Sequence, residues 1–323
     1  MGDFVAYRFP DGNVEQKVGR FTLGTDKVES GFILSDFKGD NTFFLADALD
    51  GNWPVHFHCA KEKPYTCSSR EYLLQAHSFL NGMKQFGVKK GVFSRVKKVS
   101  FSVNKAKVLF EMLCQHYPKA FIYLVSSELV GTWIGATPEI LMESHKDCLF
   151  TVSLAGTKLV SDTSAWGEKE RLEQTYVTSF IEEKLTLSGA RNIEKIGPYD
   201  LCAGPIKHLK TDFSADLAFQ KQWSLLKELH PSPAVSGLPR QEALDLIALT
   251  ENHDRLLYTG FIGVYGEQSA RFYVNLRCAQ LQGNTAYLYV GGGFTDQSIP
   301  ELEFDETENK SKTLSTFMKQ CGK

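Results

Sequence analysis

The chain has 323 residues, of which 42% are hydrophobic and 12% aromatic, so it is long and apolar enough to build a large packed core. Its formal net charge of -2 excludes the broad basic surface of a nucleic-acid-binding protein. The seven cysteines are odd in number and form no C-x-x-C pair, which is typical of reduced thiols and not of a disulfide framework.

The N-terminal residues lack the basic and apolar regions of a secretion signal, and no apolar run approaches membrane-spanning length. These features predict a cytoplasmic location, with neither nucleic acid nor a membrane among the partners.

The first sixty residues mix short strand-like runs at 31–34 and 43–45 with turns. His56 and His58 would share one face of a strand and could form half of a transition-metal site. No third ligand is obvious nearby, so ordinary histidines are the favoured interpretation.

A helix is predicted over 69–86, ended by Gly87, and a strand over 88–96 follows it. On this strand Lys90 shares a face with Val88, Val92 and Val96. A lysine turned toward a core gives up its proton more readily and could act as a general base. The alternative is an edge strand on which a lysine discourages aggregation.

The remaining pattern predicts a helix at 104–116 and a strand meander over 120–157 with turns at Gly131, Pro138 and Lys146-Asp147. Helices are then predicted near 167–188, 213–229 and 239–250, strands at 260–266, 270–281 and 285–291, and a last helix from Pro300. Adjacent runs of strands favour an α+β fold with large antiparallel sheets at the centre and helices packed outside. No linker divides the chain, so residues 1–323 are expected to form one domain.

The predicted strand over 270–281 carries Arg277 on a polar face with Tyr273 and Asn275. Such a face is either solvated or offers the arginine fork to a carboxylate. The glycines of the run 291–293 and of Ala155-Gly156-Thr157 would each follow a strand, where they either let backbone N–H groups approach an anion or form tight turns.

Two helices turn glutamates toward their own apolar faces. Glu173 shares a stripe with Val177 and Phe180, while Glu303 and Glu306 begin the stripe that ends in Leu314, Phe317 and Met318. Inward carboxylates need a compensating charge, and three converging carboxylates suit Mg²⁺. For Glu303 and Glu306, a first-turn role against the helix dipole is the alternative.

Residues 88–95 resemble the V-x-K-x-V-x-(S/A)-R strand of chorismate-utilising enzymes, especially the isochorismate synthases. Further similar segments follow in the same order, and the resemblance covers residues 70 to 320. These segments are 135–141, 154–157, 169–173, 208–211, 230–239, 258–263, 291–293 and 303–310.

The resemblance implies a single assembly of two subdomains with central antiparallel sheets, and chorismate as the substrate. It implies that Glu173 and Glu306, with Glu303 beside them, hold Mg²⁺, which in turn holds the ring carboxylate. It also implies that Lys90 activates water for attack at C2, and that Glu139 protonates the departing C4 hydroxyl.

The remaining implied roles concern substrate binding. Arg277 and Tyr258 would grip the enolpyruvyl carboxylate, and His208 would stand near the ring. Three further residues would line the ring-carboxylate side, namely Thr157, Gly293 and Lys310.

Two positions choose the nucleophile in this family. Aminodeoxychorismate synthases carry a lysine where this chain has Ala155, and anthranilate synthases lack the lysine that stands here at position 90. The combination implies water as nucleophile and isochorismate as product, and isochorismate synthases need no glutaminase subunit. The product could feed menaquinone or a catecholate siderophore, and menaquinone is the expectation because that use is the more widespread.

Alternatives are a salicylate synthase, an anthranilate or aminodeoxychorismate synthase component I, and a non-catalytic chorismate-binding paralogue. This chain departs from its relatives at Gln174, at Phe304 and in a short N-terminal region.

Overall fold

The computed structural model describes residues 2–24, 30–203 and 206–322. Their strands form one sheet in which every neighbouring pair is antiparallel. The described strands are β1 (Asp3–Arg8), β2 (Val14–Leu23), β3 (Gly31–Ser35), β4 (Thr42–Asp50), β5 (Lys90–Ser100), β6 (Phe121–Ser127), β7 (Gly131–Thr137), β8 (Ile140–His145), β9 (Cys148–Leu159), β10 (Arg191–Ala203), β11 (Ile206–Asp216), β12 (Gly237–Leu238), β13 (Phe261–Tyr265), β14 (Ser269–Val274), β15 (Cys278–Gln282) and β16 (Thr285–Phe294).

The strand order runs β10-β11-β9-β8-β14-β13-β3-β4-β2-β1-β6-β7-β15-β16-β5-β12. The expectation of a large antiparallel sheet with helices is confirmed, while the division into two subdomains stays a prediction. The described helices, apart from the 3-10 turn Val103–Lys105, are α1 (Ser69–Phe86), α2 (Ala106–His116), α3 (Glu168–Leu187), α4 (Phe219–Leu229), α5 (Arg240–Thr250) and α6 (Pro300–Gly322).

Helix α1 has the bounds that the sequence predicts. Ser68 and Glu71 form a capping box at its start, and Gly87 ends it in the left-handed conformation, with φ 68°. The final helix α6 also buries the predicted stripe, because Glu303, Thr307, Leu314 and Met318 are all less than 4% exposed.

The sheet packs against itself as well as against helices. The rings of Phe121 on β6 and Tyr273 on β14 stack at 4.8 Å between centroids, although several strands separate β6 from β14 in the sheet order. On the other face of β6, Ile122 and Leu124 join a cluster with residues of α2 and α6. Both faces of the central strands are therefore buried.

The sequence pattern does not predict strands β1 and β2. All six residues of β1 are buried, and β1 lies between β2 and β6, so Asp3–Arg8 shows no alternation of polar and apolar residues. The helix predicted at 213–229 is also wrong at its start, because β11 pairs with β9 and β10 through Asp216, and α4 begins at Phe219.

None of the helices in the described ranges is both long and apolar enough to cross a bilayer.

Candidate active site

One cavity of about 130 Å³ gathers most of the predicted site residues. It lies where β5 and β16 meet the N-terminal halves of α3 and α6 and the turn that joins β7 to β8. The predicted residues that line it are Lys90, Glu139, Glu173, His208, Tyr258, Arg277, Gly293, Glu306 and Lys310. Glu303 lies beside the cavity, and the side chain of Thr157 is outside the part of the structure that is described.

Lys90 faces the interior, as the alternation of its strand predicts. Strand β5 is bonded to β16 on one side and to the short β12 on the other, so the alternative of an edge strand is wrong at this position. The residue is only 2% exposed, and its Nζ lies 3.5 Å from Oε1 of Glu173. A buried amine in a cavity is positioned to exchange a proton with a bound molecule.

Glu139 occupies the turn between β7 and β8 and is 9% exposed. Burial raises the pKa of its carboxyl to about 7, against a smaller lowering by Lys90, Lys310 and Arg277. A carboxyl with this pKa holds its proton for about half of the time at neutral pH, and it can therefore act as an acid there.

Each of the three inward carboxylates has a lysine partner. Glu173 on α3 faces Lys90, Oε1 of Glu303 accepts from Lys169 at 2.8 Å, and Oε1 of Glu306 lies 2.6 Å from Nζ of Lys310. Burial raises the pKa of Glu303, and the nearby Glu306 raises it further. Burial also acts to raise the pKa of Glu306, but attraction to Lys310 and Lys169 outweighs it, and the net pKa is lowered.

The glycine run is part of β16 and does not form a turn, in contrast to one of the two interpretations of the sequence. A Cβ added at Gly293 would overlap Oε1 of Glu173, and one added at Gly292 would lie 3.2 Å from Oε2 of Glu303 and 4.0 Å from Oε1 of Glu306. These glycines make room for the carboxylates.

Carboxylate oxygens are ligands that a hard divalent cation prefers, and those of Glu173, Glu303 and Glu306 approach one another beside Gly292 and Gly293. Their present arrangement is held by ammonium groups. Within the ranges that the structure describes, no three side chains of His, Cys, Asp or Glu already form a metal-binding group. His56 and His58 are among these described residues and belong to no such group. They also lie outside any described strand, so the prediction that they share a strand face is wrong.

The prediction that Arg277 lies on the polar face of a strand is wrong. This residue stands between β14 and β15 with φ 48°, and the presumed polar face is buried, since Tyr273 is 1% and Asn275 2% exposed. Its Nη1 lies 3.5 Å from the carbonyl of Lys310, and burial lowers the pKa of the guanidinium. The arginine therefore faces the cavity from an irregular turn, which strand alternation did not foresee.

Three further polar side chains complete the walls. Tyr258 is 4% exposed, and burial raises the pKa of its phenol. Lys310 donates to the carbonyl of Gly291 at 2.9 Å. His208 bonds the carbonyl of Gly156 through Nδ1 at 2.7 Å, and burial lowers its pKa to about 4, so the ring is neutral at pH 7.

Sequence reasoning missed several residues around the cavity. Lys169 and Glu170 line it from the first turn of α3, and their position one turn before Glu173 was the available signal. It also missed the buried pair of Glu251 and Arg255, whose i,i+4 spacing of opposite charges could have indicated it.

Arg255 ties together segments that line the cavity. It donates to Glu251, to the carbonyl of Val92 at 2.7 Å and to the carbonyl of Val235 at 2.8 Å, while its own carbonyl accepts from Tyr258 N. Val92, Val235 and Tyr258 all line the cavity.

Comparison with known proteins gives consistent matches. The sequence profile of a family described as Chorismate binding enzyme matches residues 54–319. Isochorismate synthase EntC of Escherichia coli (strain K12) is 31% identical over 219 residues, which cover 64% of this chain and 56% of that protein. Isochorismate synthase MenF of the same strain is 29% identical over 246 residues, which cover 71% of this chain and 56% of that protein. The chain thus spans little more than half of the length of these relatives.

Solved structures share the fold. The menaquinone-specific isochorismate synthase MenF from Escherichia coli superposes with a TM-score of 0.80 at 20% identity, covering 98% of this chain and 89% of that one. A putative 2,3-dihydroxybenzoate-specific isochorismate synthase, DhbC from Bacillus anthracis, superposes with a TM-score of 0.79 at 21% identity, covering 97% and 95%.

Proposed function

Because the chain belongs to the chorismate-binding enzyme family, we propose that it is an Mg²⁺-dependent isochorismate synthase that converts chorismate into isochorismate. The observation that carries the proposal is that Lys90 and Glu139 line the same cavity, the first as a buried amine and the second as a carboxyl with a pKa of about 7. One group can take a proton and the other can give one, which is what an exchange of hydroxyl groups needs.

In the proposed reaction a water molecule forms a bond from its oxygen to C2 of the ring, and Lys90, which must be an uncharged amine at this step, takes the proton that this water loses. Both ring double bonds shift, the C4–O bond breaks, and Glu139 gives its proton to the leaving hydroxyl, which departs as water. One water enters and one leaves, so substrate and product have the same composition. Proton transfers of this kind contribute on the order of 10²- to 10⁴-fold each to the rate.

The other residues bind and orient. Arg277 and Tyr258 would hold the enolpyruvyl carboxylate, and the neutral ring of His208 would stand beside the substrate ring. Lys310 and the backbone at Gly293 and Thr157 would face the ring carboxylate. Glu173, Glu303 and Glu306 would hold Mg²⁺, which when bound supplies positive charge for the ring carboxylate.

The residue at position 155 favours water as the nucleophile. Ala155 lines the cavity, where aminodeoxychorismate synthases would present a lysine, and Lys90 is present. Salicylate synthase is the second candidate, because it also needs the water-activating lysine. Anthranilate or aminodeoxychorismate synthase component I and a non-catalytic paralogue are the others.

The product assay separates these candidates. We expect purified protein, incubated with chorismate and Mg²⁺, to yield isochorismate on chromatography, with no pyruvate and no glutaminase subunit required. EDTA should abolish turnover and Mg²⁺ should restore it. Pyruvate with salicylate would identify a salicylate synthase, an amino product with ammonium would identify the aminating enzymes, and no product would leave a binding protein.

Two variants test the assignment of base and acid. Lys90→Ala and Glu139→Gln should each lower kcat by at least about 100-fold. Lys98→Ala, an exposed lysine on the same strand, is the matched control and should keep the wild-type rate. A Lys90→Ala enzyme with nearly wild-type kcat would refute water activation by this residue.

For the pathway, we propose menaquinone biosynthesis, the use for which the structural relative MenF is specific. Loss of the protein should then remove menaquinone from its source cells. Loss of a catecholate siderophore instead would assign the protein to siderophore biosynthesis. A relative with such a name is the vibriobactin-specific isochorismate synthase of Vibrio cholerae, which is 25% identical over 293 residues, 86% of this chain and 74% of that protein.

A further inference from the structure

Lys169 has no part in the proposed reaction, yet its ammonium lies among the carboxylates of the proposed metal site. Its Nζ donates to Oε1 of Glu303 at 2.8 Å. The Glu303 side chain is 4% exposed and accepts a second hydrogen bond, from Oγ of Ser298 at 2.7 Å. Lys169 thus compensates a carboxylate that would be costly to bury alone.

The three lysines of the cluster differ in how firmly they are held. The Lys90 side chain is 3% exposed in the middle of the cavity wall. Lys310 contacts both Glu306 and the carbonyl of Gly291. Lys169 is the second residue of α3, its side chain is 26% exposed, and the described hydrogen bond of its ammonium goes to Glu303. Among these three, Lys169 can leave its carboxylate with the smallest rearrangement.

Each of these ammonium groups faces one carboxylate, that of Glu173, Glu303 or Glu306, and Glu170 also lines the cavity. An oxygen that accepts from an ammonium is not free to bind a metal ion, and the two cations repel each other at short range. A divalent ion that used Oε1 of Glu303 would therefore have to displace Lys169, and an ion that used Oε2, which faces Gly292, would be repelled by the nearby ammonium.

We propose that Lys169 is an internal counter-cation, which holds Glu303 in the metal-free protein and competes with the divalent ion for it. The inference rests on the metal site of the proposed function. The inference adds that the affinity for the ion is set partly by a residue that is not one of the proposed ligands.

The test is Lys169→Met, which removes the charge and keeps much of the apolar stem. We expect the Mg²⁺ dissociation constant, measured by titration calorimetry without substrate, to fall by at least about tenfold, since a competing cation has been removed. In EDTA the thermal midpoint of the variant should lie below that of the wild type, because Glu303 loses its partner. Saturating Mg²⁺ should close this gap.

A matched control exists on the same helix. Nζ of Lys184 lies 2.8 Å from Oε2 of Glu228, away from the cavity, so Lys184→Met removes an ion pair of the same length. It should leave Mg²⁺ affinity unchanged. Lys169→Arg keeps the charge and should hold the dissociation constant near the wild-type value, while Lys169→Gln serves if the methionine variant does not fold.

The outcomes separate this inference from the proposed function. Wild-type turnover with Mg²⁺, together with unchanged or weaker Mg²⁺ binding by the charge-removing variants, would overturn the role of Lys169 and leave the function standing. Mg²⁺ binding without isochorismate formation would overturn the function, and the comparison of dissociation constants would still decide the role of Lys169. No Mg²⁺ binding by the wild type would overturn the inference.

Discussion

At the scale of single residues, Glu139 shows how burial sets chemistry. Its carboxyl is 9% exposed, and burial raises its pKa to about 7, although three cations nearby act to lower it. The same desolvation that costs stability when the group is charged makes it an acid at neutral pH.

The proposed role of Glu139 predicts a pH dependence of the rate. In that role the carboxyl must be protonated, so kcat/KM for chorismate should fall above about pH 7, where the proton is lost. The measurement is initial rate against pH at saturating Mg²⁺. The residual activity of Glu139→Gln should lack this limb, and a rate that stays level to pH 9 would contradict the assignment.

The raised pKa also predicts a pH dependence of stability. The carboxyl ionises at its ordinary pKa of 4.5 in the unfolded chain and at about 7 in the folded protein. The stability that it contributes is thus complete below pH 4.5 and is lost as the pH rises through about 7. At pH 8, Glu139→Gln should be the more stable protein by up to about 3 kcal/mol, and by less as the pH falls. Urea unfolding at pH 5 and pH 8 checks the sign.

Individual inward residues were predictable where a regular element carried them. Lys90 and Glu173 belong to an alternating strand and an apolar helical stripe, and both side chains face the interior. Arg277 was not predictable in this way, because φ 48° at that residue breaks the strand on which its face was counted. Lys169 was missed because a lysine in the first turn of a helix usually points into solvent.

At the scale of elements, strand β16 is shaped by its glycines. Oxygen atoms of Glu173 and Glu303 approach β16 where other residues would carry a Cβ. The glycines of the run 291–293 therefore let α3 and α6 approach the strand closely, and they do not form a turn.

Gly293→Ala tests this approach. The added methyl group overlaps Oε1 of Glu173, so we expect Mg²⁺ to bind at least about tenfold more weakly in titration calorimetry. Gly292→Ala is the neighbouring comparison. Its Cβ would lie 3.2 Å from the end of the flexible Glu303 side chain, which can shift, so the loss should be smaller. Equal affinity in Gly293→Ala and wild type would argue that Glu173 is not a ligand.

The pair of Glu251 and Arg255 joins two segments of the cavity wall, β5 and the loop at Val235. Glu251 accepts from Ser94 N at 2.7 Å on β5, and Arg255 reaches Val92 and Val235. Side-chain exposure is 2% for Glu251 and 1% for Arg255. Water therefore reaches neither charge, and each is compensated by the other.

Arg255→Ala should lower the free energy of unfolding by about 3–5 kcal/mol, since it leaves the Glu251 carboxylate buried without its main partner. Guanidinium unfolding measures the loss. Arg240→Ala is the control, because Arg240 donates to two backbone carbonyls and leaves no carboxylate unpaired. A loss in Arg255→Ala no larger than in the control would mean that Ser94 and His253 satisfy Glu251 without Arg255.

Elements with local signals were predictable, and elements defined by distant partners were not. The capping box and Gly87 fix both ends of α1 through residues that lie next to the helix in sequence. Strand β1 lacks alternation because its two faces pack against different parts of the molecule. Strand β11 is stabilised by pairing with β9, which is distant in sequence. Without knowledge of that pairing, the apolar residues near 213 resemble the start of a helix, although α4 begins only at Phe219.

At the scale of the whole molecule, one antiparallel sheet runs through all sixteen described strands. Its helices lie in groups, with α3 and α4 over one cluster, α2 and α6 over another, and α1 and α5 over a further one. Strand contacts connect these clusters through the central aromatic side chains.

This continuity predicts a single unfolding transition, because no group of helices can separate without exposing the shared sheet. Differential scanning calorimetry should give equal calorimetric and van't Hoff enthalpies. Two resolved transitions would instead support the division into two subdomains that the family resemblance implies.

The pairing of β5 with β16 has a consequence for how the protein is made. Ser100 pairs with Thr285, and the other neighbour of β5 in the described sheet is the two-residue strand β12 at Gly237–Leu238. While the ribosome is still synthesising roughly the first two hundred residues, β5 has neither neighbour, and its valines and Phe93 have no sheet to join. Such long-range closure slows folding and exposes a strand edge to other nascent chains. Among the described strands, the one that carries the proposed catalytic lysine therefore waits longest for its first partner during translation.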